Sequence, residues 1–175
     1  MSVTAASGFL AYGLAAGLKS SGSKDLALVI NTGPDHAAAG VFTTNRVKAA
    51  PVVWSEQVLT DGRLRAVILN SGGANACTGP EGFADTHRTV ELVATALRQA
   101  QGTAGSAQGT ASVQGIAGSV QGIAGSAQAD IGPIDVAVCS TGLIGVRLPM
   151  DKVAAGINDL VPLLRTDGGQ AAAEA

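Results

Sequence analysis

Aromatic residues are scarce in this chain of 175 residues, which holds three Phe, one Trp and one Tyr. A core must therefore be assembled from Ala, Val, Leu and Ile, and one domain is the size such a length favours. Charge is scarce too, at 14%, with 11 Lys plus Arg against 13 Asp plus Glu and a formal net charge of -2. Without a basic patch or interleaved aromatics, nucleic-acid binding is not expected. So low a charge density predicts that part of the surface is covered by a partner chain. Long hydrophobic runs are missing: none approaches the roughly 18 residues of a membrane span. No positive region precedes the first apolar stretch, so no signal peptide is expected and the predicted location is the cytoplasm. Only two cysteines are present, Cys77 and Cys139. They lack metal-ligand spacing, which argues against a zinc site, and they read as buried free thiols. The two histidines, His36 and His87, stand apart with no readable Ser-His-Asp arrangement. His36 reads as a loop residue. His87 reads as a partly buried histidine on a helix face rather than a catalytic one. No phosphate-loop or dinucleotide fingerprint occurs, so no nucleotide cofactor is predicted.

What is present is glycine, 24 in all, concentrated at the ends of apolar runs. Asp135 to Gly145, DVAVCSTGLIG, begins as a short apolar run after Gly132-Pro133 and reads as a buried strand. It ends in Ser140, Thr141 and Gly142, which let the backbone turn sharply and leave N–H groups free to face a ligand. Leu143-Ile144 then reads as an apolar anchor for the turn. Ala66 to Gly79, AVILNSGGANACTG, has the same plan, and the two tips are expected to lie near each other.

Along the chain, strands are predicted at 25–31, 38–43, 65–70 and 134–139, and helices near 80–98 and 151–161. Gly8 to Gly13 is either an edge strand or an irregular entry. Gly33-Pro34 turns the chain, and the short connection predicts antiparallel pairing of 25–31 with 38–43. Pro51 to Trp54 reads as the start of another strand. Arg46 and Lys48 alternate on an extended stretch, as a solvated edge or as a cation pair facing an anionic ligand or partner. Thr78 and Glu81 have capping-box spacing, with Val90, Val93, Ala94 and Leu97 on one face of the helix that follows. Asp151 can cap a second helix, whose face carries Val153, Ile157, Leu160, Val161 and Leu164. Pro162 makes its last turn doubtful. Asp167-Gly-Gly169 breaks the pattern, and the helix-prone tail beyond it makes the chain look cut.

Residues 101–128 differ in kind. QGTAGSA, QGTASV, QGIAGSV and QGIAGSA follow one another at a period of seven with one deletion. Each unit carries glycine and at most one Ile, so neither a helix nor a coiled coil is favoured. The segment reads as a flexible, exposed Gly/Ala/Ser/Gln insertion within one domain spanning 1–175.

Four motifs together resemble one family. They are DLALVINTGP at 25–34, AAGVFTTNRVKAAPV at 38–52, RAVILNSGGANACTG at 65–79, and VAVCSTGLIG with RLPMDK at 136–152. The chain is identified by them as similar to the bifunctional ornithine acetyltransferase / N-acetylglutamate synthase family of arginine biosynthesis, the ArgJ family. The repeat departs from that family.

The resemblance implies an α/β fold, a layered α-β-β-α sandwich with mixed or largely antiparallel strands; a Rossmann-like parallel sheet is the runner-up. It implies a precursor that cleaves itself into α and β chains, likeness here being to the α chain, in an α2β2 assembly. A threonine at the start of β would be the nucleophile, with its own amine as base. Acetyl would pass from N-acetylornithine to that threonine and on to glutamate, with acetyl-CoA as a possible co-substrate and no bound cofactor or metal. The Thr-Gly pair that stabilises the oxyanion falls on Thr141 and Gly142. Family segments beyond the tail, including the one that supplies the nucleophile, are not in this sequence. The chain alone is therefore expected to be inactive. A second description stays open, an inert fragment acting at most as an interaction or scaffold piece. A nucleophilic Cys139 or Ser140 is the weaker chemical alternative, because no base is identifiable beside either.

Overall fold

The computed structural model describes residues 2–106 and 131–175. They form a four-stranded sheet in the order β1-β2-β3-β4, with β1 Phe9–Leu14, β2 Leu26–Asn31, β3 Ala66–Asn70 and β4 Val136–Ser140. β1 and β3 both pair antiparallel with β2, whereas β3 and β4 are parallel. The sheet is thus mixed, and an all-parallel Rossmann arrangement is excluded. Helices α1 Ala50–Val58, α2 Gly79–Ser106, α3 Met150–Leu160 and α4 Gly169–Ala173 complete the framework.

Side chains alternate across a pleated strand, so the register sorts the sheet into two faces. On one face Leu10, Leu28, Ile68, Val136 and Val138 are buried in a single cluster with Val90, Val93 and Leu97 of α2 and Val153, Ile157 and Leu160 of α3. The helical spacing of those residues is what turns one stripe of each helix onto the sheet. On the other face Ala11, Val29, Val67 and Ala137 align across the strands, as do Gly13, Ala27, Leu69 and Cys139. There α4 lies on β1 so closely that a Cβ at Gly13 would sit 2.3 Å from the Ala171 carbonyl oxygen. Val29, Val67 and Leu69 stay only half-buried. The described residues thus supply one mixed sheet flanked by helices, with α2 and α3 on one face and the short α4 on the other.

The free edge of β4 is closed by α1 rather than by another strand. The Trp54 indole N–H donates to the Val136 carbonyl at 2.9 Å. The Ser55 hydroxyl donates to the Val138 carbonyl at 2.8 Å and accepts from the Val138 N–H at 2.9 Å. An edge strand's unpaired groups are thereby satisfied. This corrects the strand expected from Pro51 to Trp54. Val52 and Val53 favour a strand locally, but Pro51 fits the first helical turn, and the contacts with β4 decide.

The strand expected at 38–43 is also absent. Both edges of β2 are already taken by β1 and β3, so no ladder is open to it. The segment instead meets the end of the α1–β3 connection, where the Ala38 N–H donates to the Gly62 carbonyl at 2.8 Å. Val41 is left fully exposed. The edge-strand reading of Gly8 to Gly13 holds as β1. Helix α2 runs eight residues past the expected end and takes in 101–106, the start of the repeat. The remainder of the insertion reading, on 107–128, lies outside the described residues. Among the described residues, no helix is long and apolar enough to cross a membrane.

Candidate functional site

Parallel pairing of β3 with β4 puts the carboxyl ends of both strands at the same end of the sheet, with Asn70 opposite Ser140. The two glycine-rich tips are therefore side by side, as their shared plan predicts. Asn70 ties them together. Its amide donates to the Ser140 hydroxyl at 2.6 Å, its carbonyl accepts the Thr141 N–H at 3.0 Å, and its side-chain oxygen accepts the Gly73 N–H at 3.4 Å. Beyond it the tips run alongside each other. The Ala74 N–H donates to the Leu143 carbonyl at 3.0 Å and the Gly145 N–H to the Ala76 carbonyl at 2.8 Å.

Glycine is required where the tips touch. Gly142 has φ +129°, and a Cβ there would lie 2.9 Å from both the Cα and the N of Gly73. Any side chain would meet both strain and backbone. The Thr141 N–H is committed to Asn70, while the Thr141 hydroxyl and the Gly142 N–H are among the tip donors that meet no acceptor among the described residues. The Thr141 N–H is thus engaged within the fold. The remaining pair is what an anionic oxygen or a developing oxyanion needs.

Thr141 borders a cavity of about 390 Å³ on the sheet face away from α2 and α3. Val29 and Leu69 supply apolar wall, Ala172 and Ala173 come from α4, and Asn70, Ser71 and Ser140 add polar atoms. Among the described residues, no charged side chain lines it. Cys139 is on this wall and exposed, and Cys77 is exposed as well, which corrects the expectation of buried thiols. The reason for Cys139 is its position: it faces the side of the sheet away from α2 and α3, where α4 packs on β1 and leaves the cavity beside it open. Its surroundings still strip enough water to push the thiol pKa up.

The rest of the tip departs from expectation in instructive ways. Leu143 and Ile144 do not anchor the turn; they are 71% and 68% exposed. Thr78 makes no capping box with Glu81. Its hydroxyl donates instead to the Asn75 side-chain oxygen at 2.7 Å, while the Asn75 amide reaches the Gly82 carbonyl at 2.7 Å and the Thr86 hydroxyl at 2.9 Å. Asn75 is fully buried at φ 47°, a conformation that asparagine tolerates better than most side chains. It fixes the second tip on the start of α2. Glu81 turns to Arg147, which also grips Asp85 through two bonds of 2.8 and 2.7 Å.

The histidines stay away from the tip. His36 sits at the opposite end of β3, its carbonyl accepting the Leu64 N–H, with its pKa lowered by desolvation and then by Arg65 and Arg63. His87 is exposed rather than partly buried; it stands edge-on to Trp54 with centroids 5.1 Å apart, and its Nδ1 lies 3.3 Å from Glu91. Lys48 pairs with Glu56 at 2.5 Å, which favours the edge reading over a cation pair with Arg46. Asn70, Asn75, Asp85 and Arg147 are the tip residues that sequence patterns do not single out.

The sequence profile of the ArgJ family matches residues 10–175. The curated arginine biosynthesis bifunctional protein ArgJ of Mycobacterium tuberculosis (strain ATCC 25618 / H37Rv) is 60% identical over 159 residues, covering 91% of this chain and 33% of that protein. Its counterpart in Streptomyces coelicolor is 53% identical over 173 residues, covering 99% of this chain and 37% of that protein. Among solved structures, ornithine acetyltransferase complexed with ornithine from M. tuberculosis superposes with a TM-score of 0.81 at 57% identity, over 99% of this chain and 77% of that one. The arginine biosynthesis bifunctional protein of Bacillus halodurans gives 0.74 at 32% identity, over 100% of this chain and 74% of that one. The chain spans about a third of the length of the curated relatives it matches.

Proposed function

The chain belongs to the ArgJ family, and on that premise we propose that the protein it forms part of is an acetyltransferase of arginine biosynthesis. It moves acetyl from N-acetylornithine to glutamate, with acetyl-CoA as a further possible donor. The nucleophile is a threonine of the β segment, outside these residues. Its hydroxyl attacks the acetyl carbonyl, the amide C–N bond breaks, and ornithine leaves with the proton taken up by the base. The glutamate amine then attacks the acyl-threonine ester. Each attack passes through a tetrahedral intermediate with a negative oxygen. The Thr141 hydroxyl and the Gly142 N–H are the groups that stabilise it.

One observation carries this reading. Thr141 and Gly142 hold two adjacent donors that their own fold leaves unused, on a turn fixed by the Asn70 bonds and by Gly73. Preorganised donors of this kind reduce the reorganisation needed when charge develops. The exposed Leu143, Ile144 and Val146 beside them support a β chain closing over the tip in an α2β2 assembly, since contiguous exposed apolar residues mark association surfaces.

Acetyl transfer from N-acetylornithine to glutamate by the full-length, processed protein is the test. Thr141→Ala should lower turnover per processed molecule by roughly a hundredfold to a thousandfold while leaving folding intact. Gly142→Val should damage turnover at least as much, because its Cβ meets the Gly73 backbone. Absence of transfer by soluble, processed wild-type protein would end the functional reading. Near-normal turnover in both variants would end the assignment of the turn.

A further inference from the structure

Arg147 lies five residues beyond Gly142, after a stretch with no helix or strand. Its guanidinium meets Asp85 of α2 through Nε at 2.8 Å and Nη2 at 2.7 Å, and Glu81 through Nη1 at 3.0 Å. Asp85 is nearly buried, its side chain 7% exposed, while the arginine is 47% exposed. A carboxylate so enclosed needs a partner, and a two-pronged arginine is the strongest a side chain can offer. The bond to Asp85 and the two acidic charges hold the Arg147 pKa above its ordinary value, so the guanidinium stays charged.

The segment between Gly142 and Arg147 is fastened at few points. Its upstream end is held by the Thr141 N–H on Asn70. Leu143 and Gly145 each make one backbone bond to the second tip. Every side chain from 141 to 147 is exposed, and burial resumes only at Leu148. Among the described residues, the Arg147 ion pairs with Asp85 and Glu81 therefore supply the loop's charged attachment, and they land on the helix whose first turns are also held by Asn75.

We propose that Arg147 is a positioning residue, a latch through Asp85 that holds the 141–146 turn in register with the second tip and so keeps the Thr141 and Gly142 donors aimed for acyl transfer. The proposal rests on the oxyanion reading of that turn. Arg147 touches no reacting atom in it; the latch acts through the backbone, where small displacements of a donor are expensive in rate.

The experiment uses the full-length, processed enzyme with Arg147→Met, Arg147→Lys and Asp85→Asn, read by steady-state kinetics and by amide hydrogen exchange. Arg147→Met should lower kcat by roughly tenfold to a hundredfold with KM little changed, and should speed exchange at Gly145 and Ala74, whose N–H groups bond across the two tips. Arg147→Lys should restore part of both. Asp85→Asn keeps a polar acceptor and guards against a variant that fails to fold; it should show the same two changes in milder form. Unchanged exchange at Gly145 and Ala74 in Arg147→Met and Asp85→Asn would overturn the latch. Faster exchange with wild-type kcat would overturn the positioning role. The Thr141→Ala control separates the two ideas. If Thr141→Ala is also harmless, the oxyanion reading itself has failed; if it is crippling, only the latch has.

Discussion

Leu28 and Val29 are neighbours in β2, yet Leu28 is fully buried in the cluster with α2 and α3 while Val29 borders an open cavity with Leu69 and Cys139. The helix-covered face is closed by apolar packing that this chain supplies for itself. The opposite face, and the strand ends beside it, are held largely by polar bonds: Asn70 across the two tips, Asn75 under the second, Arg147 on Asp85. A region stabilised by packing tolerates no loss of volume but is indifferent to partners. A region stabilised by a few directed bonds leaves donors free and apolar side chains uncovered, which is what a site completed by another chain requires.

The contrast breaks first at the core if it is wrong. Leu28→Ala removes a side chain with no exposed surface, and should destabilise the full-length protein by about 2–5 kcal/mol in urea denaturation. Turnover per folded molecule should stay close to normal, the reverse of the pattern expected for Thr141→Ala. A Leu28→Ala enzyme that keeps its urea midpoint but loses turnover would dissolve the distinction between the two faces.

Ser55→Ala sharpens the comparison at the sheet edge, where packing and directed bonds meet. One hydroxyl satisfies both the N–H and the carbonyl of Val138. Its removal leaves two buried backbone groups without that partner, and should cost about 1–3 kcal/mol. Ser55→Thr, which keeps the hydroxyl, should cost less. The signature to seek is faster amide exchange at Val138 in the alanine variant; unchanged protection there would mean that water replaces Ser55 and that α1 is not what closes β4.

The same division explains which features a reader of the sequence can recover. The runs LALVI, AVIL and VAV are apolar because one face of their sheet is packed under helices and the other is partly covered, and the 3.6-residue spacing in α2 and α3 follows from resting on that sheet. Local pattern suffices for these. Helix α1 is illegible locally because Val52-Val53 favours a strand, and only the edge of β4, more than 80 positions away, makes the helix worthwhile. The strand expected at 38–43 fails for the mirror reason, since β2 has no free edge. At the tip, the resemblance carried by CSTGLIG singles out Thr141 and Gly142, and the shared strand-and-glycine plan places the two tips together. The bonds that set the geometry do not show in any local spacing, because Asn70 meets Ser140 and Asp85 meets Arg147 across long separations. Cys139, Leu143 and Ile144 mislead because apolar type is read as burial, whereas these residues face surface that this chain does not cover.

The smallest effect expected is at Cys139, and it bears on whether the open face holds chemistry of its own. The thiol is exposed on the cavity wall beside Thr141, so position alone makes it a tempting nucleophile. Its environment argues the other way. Desolvation pushes its pKa up, which leaves less thiolate at neutral pH than a fully hydrated cysteine would have, and the thiolate is the reactive form. Neither histidine makes a hydrogen bond to the tip among the described residues. Cys139→Ala should therefore keep near-normal turnover and alter stability by no more than about 0.5 kcal/mol at neutral pH, as exposed positions usually do. The pH dependence has a definite sign. At neutral pH folded and unfolded chains both carry the neutral thiol, and nothing is gained or lost by titration. Above the ordinary thiol pKa the unfolded chain ionises first, so the wild type loses stability as pH rises through that window toward the higher folded value, and the alanine variant is spared the loss. Iodoacetamide labelling should rise with pH later than it does for a free thiol. Abolished turnover in Cys139→Ala, with protein still processed and folded, would move the nucleophile onto this wall and demote Thr141 and Gly142 to a strand's exit.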